Sequence, residues 1–297
     1  MRNLLPAFLI LCLAPLLAGP PETVDATFHQ FWYQGKAELS RYELKQSRYG
    51  ELREGDTVLI FVTEPLLQKE QVKRERGDAP ADTVLKLNAQ HQFNTGLYSY
   101  SLMTSTFTRV DYRQPETKKV TFTGQDWCGH SFMQINRTAD QYAYQIRAYF
   151  QNPGDTEGRF EKGAVLEDEL LNWIRLAPAH LPTGKIRVVP SLQFQRLKHL
   201  PAAAVAAEAS LTETGDHDFG DATLYRYRVV FPDLERTLDI YFTQSAPFRI
   251  EGWADRFPDG GKPMTTTARR THTVWEPYWN QNRNSDAANR EKLGLQP

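Results

Sequence analysis

A chain of 297 residues with 40% hydrophobic and 24% charged residues carries enough apolar material for a sizeable core, which excludes wholesale disorder. Its 35 Lys and Arg against 36 Asp and Glu leave a formal net charge of −1. No global electrostatic attraction to nucleic acid or to an anionic membrane follows from that balance.

At the N-terminus, Arg2 precedes an apolar run over residues 4–18, the length and polarity of a signal peptide. Cleavage is expected after Ala18, or as late as Ala26. A lipid anchor at Cys12 is opposed by Leu11, which stands where a small residue is needed. The expected address is therefore exported, periplasmic or secreted. No other run reaches the length of a membrane helix, so the mature chain is expected to lack a transmembrane segment. It would keep one cysteine, Cys128, and with it no intramolecular disulfide.

Residues 26–36 read as a short helix, with Phe28, Phe31 and Trp32 on one face. Residues 37–49 fit either a helix or a long strand, since Tyr42 and Leu44 alternate with charges. Residues 57–64 (TVLIFVTE) are a buried strand that Pro65 should end, and residues 66–81 are an exposed loop. A meander follows over 83–93, 97–110, 118–127, 131–137 and 142–150, with a break at Asn152-Pro153-Gly154-Asp155. A helix is expected over 166–176, with acids in its first turn, Leu166, Leu170, Trp173 and Ile174 apolar, and Pro178 as the stop. Strands resume at 186–197, 203–211, 224–231, 236–244, 248–257 and 264–274. This gives about eleven or twelve strands joined mostly by short turns, the pattern of a mainly β chain with one large curved antiparallel sheet. A half-barrel or open barrel with one or two short helices is expected. The domain should span 27–279, leaving 280–297 as a polar flexible tail.

Two constellations carry possible chemistry. The first is Cys128 with His130: on a strand the two would share a face, the imidazole serving as base to a thiolate nucleophile and Asp126 as its orienting acid. The competing expectation is a buried packing cysteine. The second is a pair of aromatic faces, Tyr98 and Tyr100 on one strand and Tyr225 and Tyr227 on another, with Trp127 nearby. A curved sheet so lined would hold a lipid or acyl chain. The seven histidines are scattered without metal-ligand spacing, and Asp216-His217-Asp218 sits in a polar turn, so no metal and no cofactor are expected.

The stretch FNTGLYSYSLMTSTF at 93–107, with Gln125-Asp126-Trp127-Cys128-Gly129, resembles a family of uncharacterised exported bacterial proteins sometimes labelled septum formation inhibitor Maf. The chain has no Ser-Pro-Arg-Arg motif, so no nucleotide chemistry is carried over. The order of strands and helices also resembles the half-barrels of periplasmic lipoprotein carriers. That resemblance concerns the fold; the exported address and the aromatic-lined curved sheet together give the expected function, an envelope protein that binds a hydrophobic ligand or an envelope partner. A Cys128 hydrolase or transferase, or a purely structural protein, are the alternatives.

Overall fold

The computed structural model describes residues 25–161, 163–215, 218–220 and 222–296. The leader, with Cys12 and both cleavage points except Ala26 itself, lies outside them, as do Asp216 and His217.

Alternation along the strands builds the sheet. In β1 (Ala37–Arg48) the side chains of Glu38, Ser40, Tyr42, Leu44, Gln46 and Arg48 all point to one side and are buried, so the ambiguous segment is a strand. β2 (Glu51–Leu67) pairs with it through the tight Tyr49-Gly50 turn, where both residues have positive φ. Pro65 does not end β2: it pairs opposite Thr83 and the strand runs on to Leu67. Then follow β3 (Ala81–Thr95), β4 (Tyr98–Arg109), β5 (Glu116–Asp126), β6 (Gly129–Arg137), β7 (Tyr142–Ala148) and β8 (Thr156–Arg159). The second half comprises β9 (Val165–Leu166), β10 (Gly184–Val189), β11 (Val205–Thr214), β12 (Leu224–Phe231), β13 (Arg236–Thr243), β14 (Ile250–Asp259) and β15 (Lys262–Glu276).

All fifteen form one sheet, ordered β8-β7-β6-β5-β4-β3-β2-β1-β15-β14-β13-β12-β11-β10-β9, antiparallel except for the short β9–β10 pair. The first and last long strands, β1 and β15, pair in the middle. The edges β8 and β9 are neighbours in sequence, so six Cα steps hold them within about 20 Å of each other. The sheet must therefore curl into a barrel-like form, open between its edges. Phe160, buried in the intervening linker, stacks on Tyr144 of β7 at 4.8 Å and packs that seam.

A barrel of this circumference is too wide for side chains alone to fill, and three short helices occupy its interior. α1 (Asp25–Trp32) buries Phe28 and Trp32, the latter against Phe61 at 6.1 Å and Trp275 at 5.3 Å. α2 (Leu170–Leu176) follows a 3-10 turn at Glu167–Glu169, and its Asn172 donates to Leu85 O at 3.0 Å and Thr108 Oγ1 at 2.9 Å. α3 (Leu192–Lys198) stands where a strand over 186–197 was expected. Pro190 breaks β10, and the Ser191 hydroxyl accepts from the Phe194 N–H as an N-cap. Arg196 and Lys198 in its last turn suit the helix dipole.

The C-terminal segment also differs from the expected frayed tail. A 3-10 stretch at Asn284–Leu293 lies on the outer face of the sheet, where Leu293 is buried with Ala37, Leu39, Ile60 and Val62. Leu293, with the partly buried Leu295 beside it, supplies the anchor among polar residues, which composition alone hides.

Candidate functional site

The ends of the curl differ. At one, α1 and α2 pack around a buried ion pair: Arg175 of α2 donates to both oxygens of Glu38 at 2.7 and 2.6 Å, its guanidinium lying 4.9 Å from the Trp32 ring and 4.7 Å from that of Phe61. At the other, α3 crosses beneath the hairpin turns. Arg48 Nη1 donates to Leu197 O at 2.5 Å, Arg196 Nη2 reaches Asp126 at 3.1 Å, and Lys198 Nζ donates to Pro258 O at 2.8 Å.

Between the two helical layers lies a cavity of about 140 Å³. Leu44, Leu59, Leu87, Leu238, Ile240 and Trp253 form its apolar wall. His91 is part of the wall, its Nδ1 paired with Thr57 Oγ1 at 2.8 Å. Burial lowers its pKa to about 4, so the imidazole is neutral at physiological pH.

A charged cluster borders the cavity on the α3 side. Arg236 of β13 donates to both oxygens of Glu167 at 2.6 and 2.7 Å and to both of Asp255 at 2.7 and 2.9 Å, and its guanidinium stacks 3.8 Å from the Phe194 ring of α3. Burial alone would lower the Arg236 pKa; Asp255 and Glu167 more than offset it and hold the group charged. Asp168 faces the cavity and accepts the N–H of Leu192, the first residue of α3, at 3.0 Å. Burial raises its pKa to about 7, against that hydrogen bond and with help from Glu167. Burial likewise raises Glu169 to about 7, opposed by hydrogen bonds from Thr117 and the Leu166 N–H.

A carboxyl that binds its proton more tightly when folded stabilises the protein fully below its unfolded pKa, and that stability is lost as pH rises through the folded one. Asp168→Asn keeps an acceptor for Leu192 but no charge. It is expected to gain about 1–3 kcal/mol at about pH 8 and almost nothing at about pH 4, read from urea melts. An equal gain at both pH values would contradict a titrating Asp168.

The residues singled out in the sequence are dispersed. Cys128 lies in the two-residue turn between β5 and β6, not on a strand, and it is exposed rather than buried. Same-face geometry with His130 therefore does not apply, and among the described contacts none joins the two. Asp126 is buried and engaged elsewhere, accepting the Cys128 N–H at 2.7 Å while paired with Arg196. Trp127 is 70% exposed at the same turn. With Tyr49, Leu97 and Tyr149 it places a large exposed apolar side chain at each of four successive hairpins of the α3 end.

Of the tyrosines, Tyr100 is buried, stacked on Phe93 at 4.8 Å, with its hydroxyl 3.2 Å from Arg48 Nη2. Tyr98 is half-buried beside it, ring centroids 5.7 Å apart. Tyr225 and Tyr227 do point inward, as the alternation on β12 requires, but they belong to the packed core: Tyr227 is fully buried with its hydroxyl donating to Pro182 O at 2.6 Å, and Tyr225 packs on Phe242. Neither these four tyrosines nor Trp127 line the cavity. Arg48, His91, Asp168 and Arg236 do, and the sequence reading passed over them. The one local signal was Pro190-Ser191 ahead of good helix formers, which marks the α3 start.

Fold and cavity together define a mainly β, barrel-like protein whose curled sheet is plugged by helices. Against known proteins, one solved structure matches: a β-barrel-like protein of domain of unknown function DUF1849 from Brucella abortus, with TM-score 0.45 and 9% identity over 80% of this chain and 97% of that one. No family model matches the chain, and no curated protein does. The septum-formation-inhibitor label gains no support from these comparisons. No described helix is long and apolar enough to cross a membrane.

Proposed function

We propose that this chain is an exported cell-envelope protein that binds an apolar ligand inside the curled sheet. The observation that carries the reading is the apolar-walled cavity of about 140 Å³ held between the sheet and α3. The exported address rests on the run at residues 4–18. A volume of about 140 Å³ has room for a benzene-sized guest. The cavity as it stands suits a ring or a short acyl segment. A longer chain requires α3 to move outward, which means releasing the bonds from Arg48 to Leu197 O, from Arg196 to Asp126 and from Lys198 to Pro258 O.

Delipidated protein titrated calorimetrically with 1-octanol and with octanoate should show saturable binding of at least one. Ala89 lines the cavity with a methyl group, and Ala89→Phe places a ring in the space. This variant is expected to lose binding while its melting temperature stays level or rises, since filling a cavity commonly adds about 0.5–2 kcal/mol. Absence of binding for both probes, or binding undiminished in Ala89→Phe, would count decisively against this site.

A further inference from the structure

Four arginines are buried among the described residues: Arg48, Arg175, Arg196 and Arg236. Three are matched by carboxylates, Arg175 by Glu38, Arg196 by Asp126 and Arg236 by Glu167 and Asp255. Arg48 is not. It is 7% exposed, and among the described residues its guanidinium meets the Leu197 carbonyl, the Tyr49 hydroxyl at 3.0 Å, the Tyr100 hydroxyl at 3.2 Å and the faces of those two rings, at 4.1 Å and 5.5 Å, but no carboxylate. Its buried Nε–H has no acceptor among the described residues.

The carboxylates at this end of the curl are already engaged. Asp259 takes Lys198 Nζ at 3.2 Å, Ser47 Oγ at 2.9 Å and the Gly50 N–H at 2.9 Å, and Asp126 takes Arg196. Arg48 is thus a buried positive charge with no carboxylate counter-ion among the described residues, supported by the Tyr100 and Tyr49 hydroxyls and the Leu197 carbonyl. That arrangement is costly, and buried charges are otherwise paired. It also lies on the inward side of β1, on the cavity wall, in line with the apolar Leu44. The α3 side of the cavity also carries Arg236, matched by Glu167 and Asp255, Lys198, matched by Asp259, and Asp168, which holds the Leu192 N–H; Arg48 is the cation of that lining left without a carboxylate among the described residues, next to the apolar wall.

We infer that the ligand is amphipathic, an apolar tail with an anionic carboxylate head, and that Arg48 binds the head. This rests on the apolar-ligand reading and specifies its ligand. The tail occupies the wall formed by Leu44, Leu59 and Leu238, and the head accepts from the Arg48 fork beneath α3. A carboxylate fits a guanidinium with two parallel hydrogen bonds, which a hydroxyl cannot match. Because Arg48 also holds Leu197 O, a head group competing for its N–H donors would loosen the last turn of α3 over the cavity.

The test is calorimetric titration with octanoate, 1-octanol and octylamine near neutral pH. In the wild-type protein octanoate should bind about 10-fold or more tighter than 1-octanol, the ordinary worth of a hydrogen bond to a charged group, and octylamine most weakly. Arg48→Met should close the gap between octanoate and 1-octanol while leaving 1-octanol binding in place. Equal binding of acid and alcohol in the wild type, tighter binding of octylamine, or a gap that survives Arg48→Met would overturn the anionic head while leaving the apolar site standing. No binding of any of the three would overturn both. The wild-type comparison decides even if Arg48→Met does not fold.

Discussion

Arg236→Met is expected to destabilise the protein by about 3–5 kcal/mol, the range for removing one partner of a buried ion pair. The guanidinium bridges Glu167, in the 3-10 turn before α2, to Asp255 on β14, so its loss leaves two buried carboxylates facing one another with Asp168 alongside. Both remaining acids would then bind protons more tightly in the folded state than in the unfolded one, so the deficit should grow as pH rises. Urea melts of variant and wild type at about pH 5 and about pH 8 should show the larger loss at the higher pH. The Phe194 ring, which stacks on Arg236, would lose its support, and α3 should become more open to proteolysis. A loss below about 1 kcal/mol at both pH values would mean that the cluster does not hold the helices to the sheet.

The second large effect concerns the opposite end. Arg175→Met strands Glu38, which is fully buried on β1, and should cost about 3–5 kcal/mol. The double variant Glu38→Leu with Arg175→Met should recover most of that loss. Trp32 and Phe61 flank the guanidinium and already offer apolar surfaces, and apolar groups that fill the volume of a buried ion pair are often neutral or stabilising. A double variant as unstable as the single one would show that the pair fixes the position of α2 in a way packing cannot replace.

Strand alternation made much of the architecture legible. β12 and β13 start where the pattern of Leu224, Tyr225 and Tyr227 and the Arg236 boundary placed them, and the helical run after Leu166 is the α2 segment with its preceding turn. The short elements were not legible. β9 has two residues and β8 four, too few to display any period, yet they are the edges that bring the sheet round on itself. Around α3 the residues Leu192, Phe194 and Arg196 alternate as well as they wind, so the pattern fits a strand equally; only the break at Pro190 and the Ser191 cap separate the two.

The site was less legible still. Cys128 attracted notice as a lone chemical group, but a hairpin tip exposes it and turns it away from the strand register that would have aligned it with His130. Arg48 attracted none, since its residue type is common and its meaning lies in what is missing around it. The sequence by itself determined the mainly β class and the inward faces of β4 and β12, because a strand with a two-residue period records burial locally; β1 was open between helix and strand, and its burial pattern decides for strand. Only the tertiary structure decided which inward residues line space and which fill it, and which buried charge meets no carboxylate among the described residues. Those depend on side chains brought together from elements far apart in the chain, 69 residues for Arg236 and Glu167 and 137 for Arg175 and Glu38, and no local pattern encodes such a meeting.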